Sequence, residues 1–342
     1  MINCFSHGTC SLIATSRIVM KFLAFSLAFL SLSWPQKAPQ PPAQDEIPLI
    51  KVDVDLVSIL CSVRDKKNGL ISNLTKDDFT IVENGTQQQI KNFTRETDLP
   101  LTIGLLVDVS GSQEGLIGEE RRTSNQFFQK VLRPKDMAFV ISFGSEAELL
   151  QDYTNSLRLL REGLEGLRLN TSVSGIHPGP VPNQVQRGTI MFDAVYLAAD
   201  DKLKREVGRK VIVLITDGMD QGSRVKIDKA IEAAQKSDAI IYSIFYEDPY
   251  FRARNRGYFA NDSALKKLSE ETGGRVFHVG GKLSLDGIFD QIQQEMRSQY
   301  TVTYTPTNPQ KDGSYRKVEI KLANKDLKPQ ARKGYYATPN SN

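Results

Sequence analysis

The sequence predicts an α/β protein: a doubly wound, mostly parallel six-stranded sheet carrying a small β-sandwich built from N- and C-terminal flanking segments. Three observations lead there. Between residues 99 and 298, apolar runs of strand length alternate with stretches whose apolar residues recur every three to four positions, the pattern of strands crossing over through helices. On either side, residues 48–98 and 299–338 alternate apolar and polar residues at period two. Those flanks are about 50 and 40 residues long, near the size at which an isolated domain needs staples, and neither holds a pair of cysteines. They are therefore expected to pair with each other around the inserted α/β domain. Two separate β appendages packed on that domain are the alternative.

The elements follow in order. Residues 1–33 read as a secretory signal peptide, with Met20 an alternative start: Arg17 and Lys21 precede a short apolar core, and Ser31 and Ser33 suit a cleavage site. The core is short for a bilayer span; an uncleaved anchor is the other reading. No cysteine follows it at lipid-attachment spacing. Export to the periplasm or beyond is the expectation, with no membrane span in the mature chain. Cys4 and Cys10 lie in this segment, which leaves Cys61 alone and the mature chain without an internal disulfide. Residues 34–47 are rich in Pro and Gln and read as a linker.

In the first β segment, Val52, Val54 and Leu56 alternate, and the phase then slips to Val57, Ile59, Cys61 and Val63, implying a bulge or bend. Phe79 to Glu83, Asn84-Gly85, and Thr86 onward to Phe93 read as a hairpin, because Asn-Gly accepts the positive φ angles of a type I′ turn. Strands are expected at Leu101–Val107, Met137–Phe143, Val211–Ile215, Ile240–Tyr246 and Val276–Val279, with Ala147–Tyr153 as an antiparallel edge. Helical faces are Phe127, Phe128, Val131 and Leu132; Leu157, Leu160, Leu164 and Leu167; Ile227, Ala230, Ile231 and Ala234; and Leu285, Ile288, Phe289 and Ile292. After them, Tyr300, Val302 and Tyr304 alternate, and so do Val318, Ile320 and Leu322.

Composition excludes some functions. With 342 residues, of which 40% are hydrophobic and 25% charged, the chain is globular and has room for more than one domain. Its net charge of +4 is too small to argue for nucleic acid.

The chemistry sits at the strand ends. In LTIGLLVDVSGS (Leu101–Ser112) a buried strand delivers Asp108 to the sheet edge, and the turn brings the Ser110 and Ser112 hydroxyls beside it. Three hard oxygens then converge, as Mg²⁺ requires, and no lysine stands in the turn to hold a phosphate. A second apolar strand ends in Asp217-Gly218, and Gly188-Thr189 opens a helix after a Gly/Pro-rich loop. Ligands in open α/β sheets gather at these carboxyl ends.

The order Asp108-x-Ser110-x-Ser112, Thr189, Asp217 resembles the metal-ion-dependent adhesion site of von Willebrand factor A domains, over roughly residues 99–298. DFTIVENG, YTVTYTP and RKGYY in the flanks are similar to an exported bacterial subfamily of von Willebrand factor A-related proteins. Gln113 departs from the Met that many members place after the second serine. The resemblance implies that Ser110, Ser112 and Thr189 bind the cation (Mg²⁺, or Mn²⁺ or Ca²⁺) through hydroxyls, while Asp108 and Asp217 act directly or through water. Neutral hydroxyls leave the ion Lewis-acidic, so an Asp or Glu of a partner protein can complete it. Asp193 reads as a capping or solvated group.

Two loops could choose that partner. Asp248 to Phe259 carries Arg252, Arg254 and Arg256 among Tyr250, Phe251, Tyr258 and Phe259, types enriched at protein contacts; a solvated loop packed on its neighbour is the plainer reading. The loop Asn170–Arg187, containing His177, could gate Thr189. No HExxH, GxSxG or Walker-A pattern occurs, and Ser110 has no identifiable base. The expectation is a non-enzymatic, cation-dependent protein-binding module; a metal-dependent phosphate-ester hydrolase and a structural envelope component are the alternatives.

Overall fold

The computed structural model describes residues 56–95, 99–169, 188–255, 257, 259–281 and 283–338. The leader, the linker, Val52 and Val54, the loop with His177, Arg256 and Tyr258 lie outside the described residues. In chain order the first elements are β1 (Val57–Arg64), β2 (Phe79–Glu83), β3 (Thr86–Gln88), β4 (Ile90–Arg95), β5 (Leu101–Asp108), α1 (Ile117–Val131), β6 (Met137–Phe143), β7 (Ala147–Thr154), α2 (Leu157–Glu165) and α3 (Met191–Tyr196). Then come β8 (Arg209–Thr216), α4 (Ile227–Lys236), β9 (Ala239–Phe245), α5 (Pro249–Arg254), α6 (Ser263–Thr272), β10 (Val276–His278) and α7 (Leu285–Met296). The chain closes with β11 (Tyr300–Tyr304), β12 (Tyr315–Leu322), β13 (Lys328–Ala331) and β14 (Gly334–Tyr336).

The central sheet has six strands in the order β10-β9-β8-β5-β6-β7. All neighbours are parallel except β6 and β7, where the expected antiparallel edge is found. Because both faces are covered, β5 and β8 are buried at every position, which is why they read as unbroken apolar runs rather than alternating ones. Leu101, Ile103, Leu105 and Val107 face one core with α1, α2 and α7, where Phe127 stacks on Phe289 with ring centroids 4.4 Å apart. Leu106, Ile212 and Leu214 face a second core with α3, α4 and α6. Helix α6, absent from the expected elements, shows only two core leucines, Leu265 and Leu268; it stops at Gly273 in the left-handed region (φ 92°).

Chain direction reverses at the middle of this sheet. From β5 the chain moves to β6 on one side, and later enters β8 on the other before stepping outward to β9 and β10. The β5/β8 boundary is therefore the topological switch point, and loops leaving the carboxyl ends of these two strands diverge to open a crevice.

Both flanks build the sandwich. One sheet runs β13-β1-β11-β4 and the other β14-β12-β2-β3, so each mixes strands from before and after the α/β domain. In the first, Ile59 pairs with Val302 and Cys61 with Tyr300; in the second, Val318 pairs with Glu83. Ile59, Cys61, Val63, Phe79, Ile81, Tyr300, Val302, Tyr304 and Val318 form their common core. Burial pushes the Cys61 thiol up to about 12, so it stays protonated and inert. Asn84 and Gly85 both adopt positive φ (47° and 87°), as the type I′ turn requires.

One expectation is corrected. Thr86 to Phe93 is not a single strand: β3 pairs with β2, whereas β4 leaves that sheet and pairs with β11 in the other. Buried Gln88 sits at the crossing, where its side chain donates to the Thr86 carbonyl at 3.0 Å and accepts from the Thr307 amide at 3.0 Å. A polar residue with its own partners lets the strand change layers without stranding an amide in the core.

Candidate metal centre

The site is built from three segments at the switch point. Asp108 ends β5 and is fully buried. Its Oδ1 accepts the Ser110 amide at 2.9 Å, which turns the chain sharply, and its Oδ2 accepts the Thr216 hydroxyl at 2.5 Å. A one-turn 3₁₀ segment then begins at Gly111 and returns Ser112, whose hydroxyl lies 3.1 Å from that of Ser110. On the neighbouring strand, Thr216 Oγ1 also accepts the Gly218 amide at 3.1 Å, and buried Asp217 accepts the Met219 amide at 3.2 Å. Thr216 thus ties the ends of β5 and β8 together and sets the two aspartates at adjacent strand ends.

Thr189 arrives separately. It is 8% exposed, just ahead of α3, and its carbonyl accepts the Gln221 amide at 3.0 Å. The next residue, Ile190, donates to the Gly144 carbonyl at 2.9 Å. Thr189 is held between the loops that follow β6 and β8. Asp193 fastens the same region from below: its carboxylate accepts the Arg224 and Val225 amides at 3.1 and 2.8 Å. It therefore anchors the loop after Asp217 rather than pointing at a ligand, and the capping expectation becomes one of long-range loop anchoring.

Gly218 has a structural reason. It sits at φ 81°, and a Cβ there would come 2.3 Å from the Asn261 carbonyl oxygen. Gly218→Ala is expected to cost roughly 1–2 kcal/mol for the left-handed backbone alone, with displacement of the Asp217 turn added. The check is the chemical-denaturation midpoint together with Mg²⁺ affinity, both lowered.

Electrostatics favour a cation here. Burial, and after it the charge of Asp217, raise the Asp108 carboxyl to about 7 against hydrogen bonds from Ser110 and Thr216 that lower it. Two acids forced together out of water are relieved by a positive ion. The donor set fits one: hydroxyls and carboxylates are hard oxygens, the ligand type of Mg²⁺, Mn²⁺ and Ca²⁺. Among the described residues, no three His, Cys, Asp or Glu side chains form a ligand group by themselves. Any ion here must therefore lean on Ser110, Ser112 and Thr189, whose hydroxyls carry no charge.

The expected partner loop is partly a helix. Asp248 caps α5 by accepting the Tyr250 amide at 2.8 Å, with Pro249 in the first turn; Asp-Pro is itself the sequence signal for such a start. The helix leans on the serine turn, since a Cβ on Gly115 would meet the Asp248 carboxylate at 2.4 Å. Tyr250 and Phe259 are about four-fifths exposed, at 77% and 81%. Arg252 pairs with Glu247 at 3.2 Å, Arg254 is exposed, and Phe251 is half-buried.

Reading the sequence missed one residue of this region. Glu120, on the buried face of α1, is fully buried, and neither carboxylate oxygen has a hydrogen-bond partner. Its neighbour Glu119 is exposed and accepts the Tyr246 hydroxyl at 2.5 Å.

No protein-family model matches the sequence, and no curated protein matches it. Solved structures do. BatB from Bacteroides thetaiotaomicron, described as a conserved hypothetical protein, is 16% identical with a TM-score of 0.43, over 57% of this chain and 97% of that one. The vWF domain of the type V pili tip protein Mfa5 from Porphyromonas gingivalis is 13% identical with a TM-score of 0.40, over 58% and 95%. Proximal thread matrix protein 1 from the mussel byssus, with a zinc-occupied MIDAS motif, is 16% identical with a TM-score of 0.44, over 63% of this chain and 49% of its own.

Proposed function

We propose that this von Willebrand factor A-like domain is a divalent-cation-dependent protein-binding module of adhesion type, in which the ion captures an Asp or Glu of a partner. The observation that supports the reading is the placement of Asp108, Ser110, Ser112 and Asp217 at the carboxyl ends of the paired strands β5 and β8, with Thr189 pinned to the adjoining loop. In the bound state, Ser110, Ser112 and Thr189 would supply hydroxyl oxygens, and Asp108 and Asp217 the negative charge. The ion supplies the attraction for one outside carboxylate. Asp108 is held by the Ser110 amide and the Thr216 hydroxyl, which supports a preorganised site.

The exposed aromatics of the rim, Tyr250 and Phe259, with Arg252 and Arg254, suit the surround of such a contact: planar arginine forks for further carboxylates and rigid rings for apolar area. Arg256 and Phe251 belong to the same segment. The reading is binding rather than turnover: the Ser110 and Ser112 hydroxyls lie 3.1 Å apart, side by side as two ligands of one ion would be. Export rests on the leader-like residues 20–33; among the described residues no helix is long and apolar enough to cross a membrane.

The test is capture from an envelope extract by the immobilised chain, in Mg²⁺ and again in chelator, alongside hydrolysis of a chromogenic phosphate ester. Capture lost in chelator, without hydrolysis, supports the module. Metal-dependent hydrolysis that disappears in Asp108→Ala would favour the phosphatase, and capture indifferent to chelator would favour a structural component.

A further inference from the structure

Glu120 is a charge without an account. It lies in α1, whose inward face carries Ile117, Thr123, Ser124, Phe127, Phe128 and Val131, and it is completely buried with both carboxylate oxygens lacking any hydrogen-bond partner. An isolated buried carboxylate costs several kcal/mol, so the metal-free fold favours the protonated form, and ionisation there calls for a nearby positive charge. Burial pushes its carboxyl well above the ordinary range, and the charges that add to this are all acidic: Asp108 first, then Glu119 and Asp217. Two of those three are the strand-end aspartates of the candidate centre. Ser124, one helical turn on, also has a buried hydroxyl without a partner. No other buried acid among the described residues has both carboxylate oxygens unpartnered.

We propose that Glu120 belongs to the cation site as its third carboxylate, acting at one water's remove from the ion and strengthening its binding. This rests on the cation reading of Asp108 and Asp217 given above. Among the described residues no three acidic, His or Cys side chains form a ligand group together, so Glu120 is assigned to the charge behind the ligands and not to the ligand shell, and one water's remove is part of the proposal. Its position gives it a role the surface acids cannot take. Out of bulk solvent, the field of one carboxylate is far less screened than that of exposed Glu119, and it adds attraction for a doubly charged ion without occupying the coordination position a partner needs. The ion in turn supplies the positive charge that the fold itself does not provide for Glu120. The resulting site is more anionic than its five motif residues alone suggest, which favours divalent over monovalent cations.

The experiment titrates Mg²⁺ by calorimetry into the full chain, Glu120→Gln and Glu119→Gln, with melting temperatures in Mg²⁺ and in chelator. Glu120→Gln keeps the shape and removes the charge. It is expected to weaken Mg²⁺ binding by about tenfold, the usual cost of losing a group behind the ligands, and to shrink the Mg²⁺-induced rise in melting temperature. Glu119→Gln should stay within about twofold, because an exposed charge is screened. Equal weakening by both substitutions, or affinity in Glu120→Gln within about twofold of the wild type, overturns the proposal. A wild type that binds no Mg²⁺ overturns the cation reading beneath it, a distinct result. If Glu120→Gln does not fold, a crystal of the wild type soaked in Mn²⁺ decides: a Glu120 oxygen within about 5 Å of the anomalous peak, one coordination bond plus one hydrogen bond, supports it, and a longer separation overturns it.

Discussion

Asp108→Ala is expected to abolish Mg²⁺ binding and, with it, the proposed cation-dependent capture of a partner, while the domain still folds. The substitution removes the carboxylate that organises the serine turn through the Ser110 amide and meets β8 through Thr216. It also removes a charge that is costly to bury. In chelator at pH 8 the variant is therefore expected to melt no lower than the wild type, whereas in Mg²⁺ only the wild type gains stability. Calorimetry and melting curves read both halves. A variant that keeps wild-type Mg²⁺ affinity would remove the basis of the proposed function.

The same carboxyl sets a pH dependence. In the metal-free fold it is raised to about 7, against about 3.9 in an unfolded chain. Between those values the folded state holds the proton more tightly, so this group makes the metal-free protein less stable as pH rises from about 4 to 7. A cation binds the ionised form and competes with that proton. Mg²⁺ affinity should accordingly climb about tenfold from pH 6 to pH 8 and level off above. A flat profile across that range would mean that Asp108 is not a ligand.

The second large effect lies far from the metal centre. Glu295, near the end of α7, is fully buried and accepts hydrogen bonds from Arg64 of β1, Arg275 at 3.0 Å, Gln330 of β13 at 2.6 Å and Tyr242 at 3.2 Å. Arg64 and Gln330 come from the sandwich, Arg275 and Tyr242 from the α/β domain. One carboxylate thus bridges two guanidiniums at the junction of the two layers. Glu295→Ala leaves buried Arg64 and half-buried Arg275 without it, and removing one member of a buried ion pair typically costs about 3–5 kcal/mol. A fall of that size in unfolding free energy is expected, with Mg²⁺ affinity of the folded fraction unchanged. A loss below about 1 kcal/mol would show that the arginines find water or other partners.

Much of this was legible in the chain. Strands β5, β6 and β8 read as apolar runs because they are buried on both faces, and period two alone identified β1, β11 and β12. The absence of paired cysteines in two undersized flanks pointed to a shared sandwich, since neither flank could bury enough surface by itself. Asp108, Ser110 and Ser112 were readable because their spacing is local: a strand end and a tight turn bring them together wherever the rest of the chain goes.

Other features depend on packing between distant segments and left no local signal. The change of sheet at Gln88 looks from the sequence like a continuing strand, because no Gly or Pro interrupts Thr86 to Phe93. Glu119 and Glu120 stand side by side among arginines and read alike as solvated helix acids; only the docking of α1 on the sheet turns one outward to Tyr246 and the other into the interior. Glu295 likewise passes for an ordinary polar residue at a helix end until two layers close over it. The amino-acid order by itself thus determined which segments form strands and helices, and which oxygens cluster within a single turn, because those follow from near-neighbour sterics and periodicity. Which charges end up out of water, and which carboxylates feel one another across the β5/β8 boundary, was decided by tertiary structure alone, because desolvation and Coulomb energy depend on distances in space that sequence separation does not set.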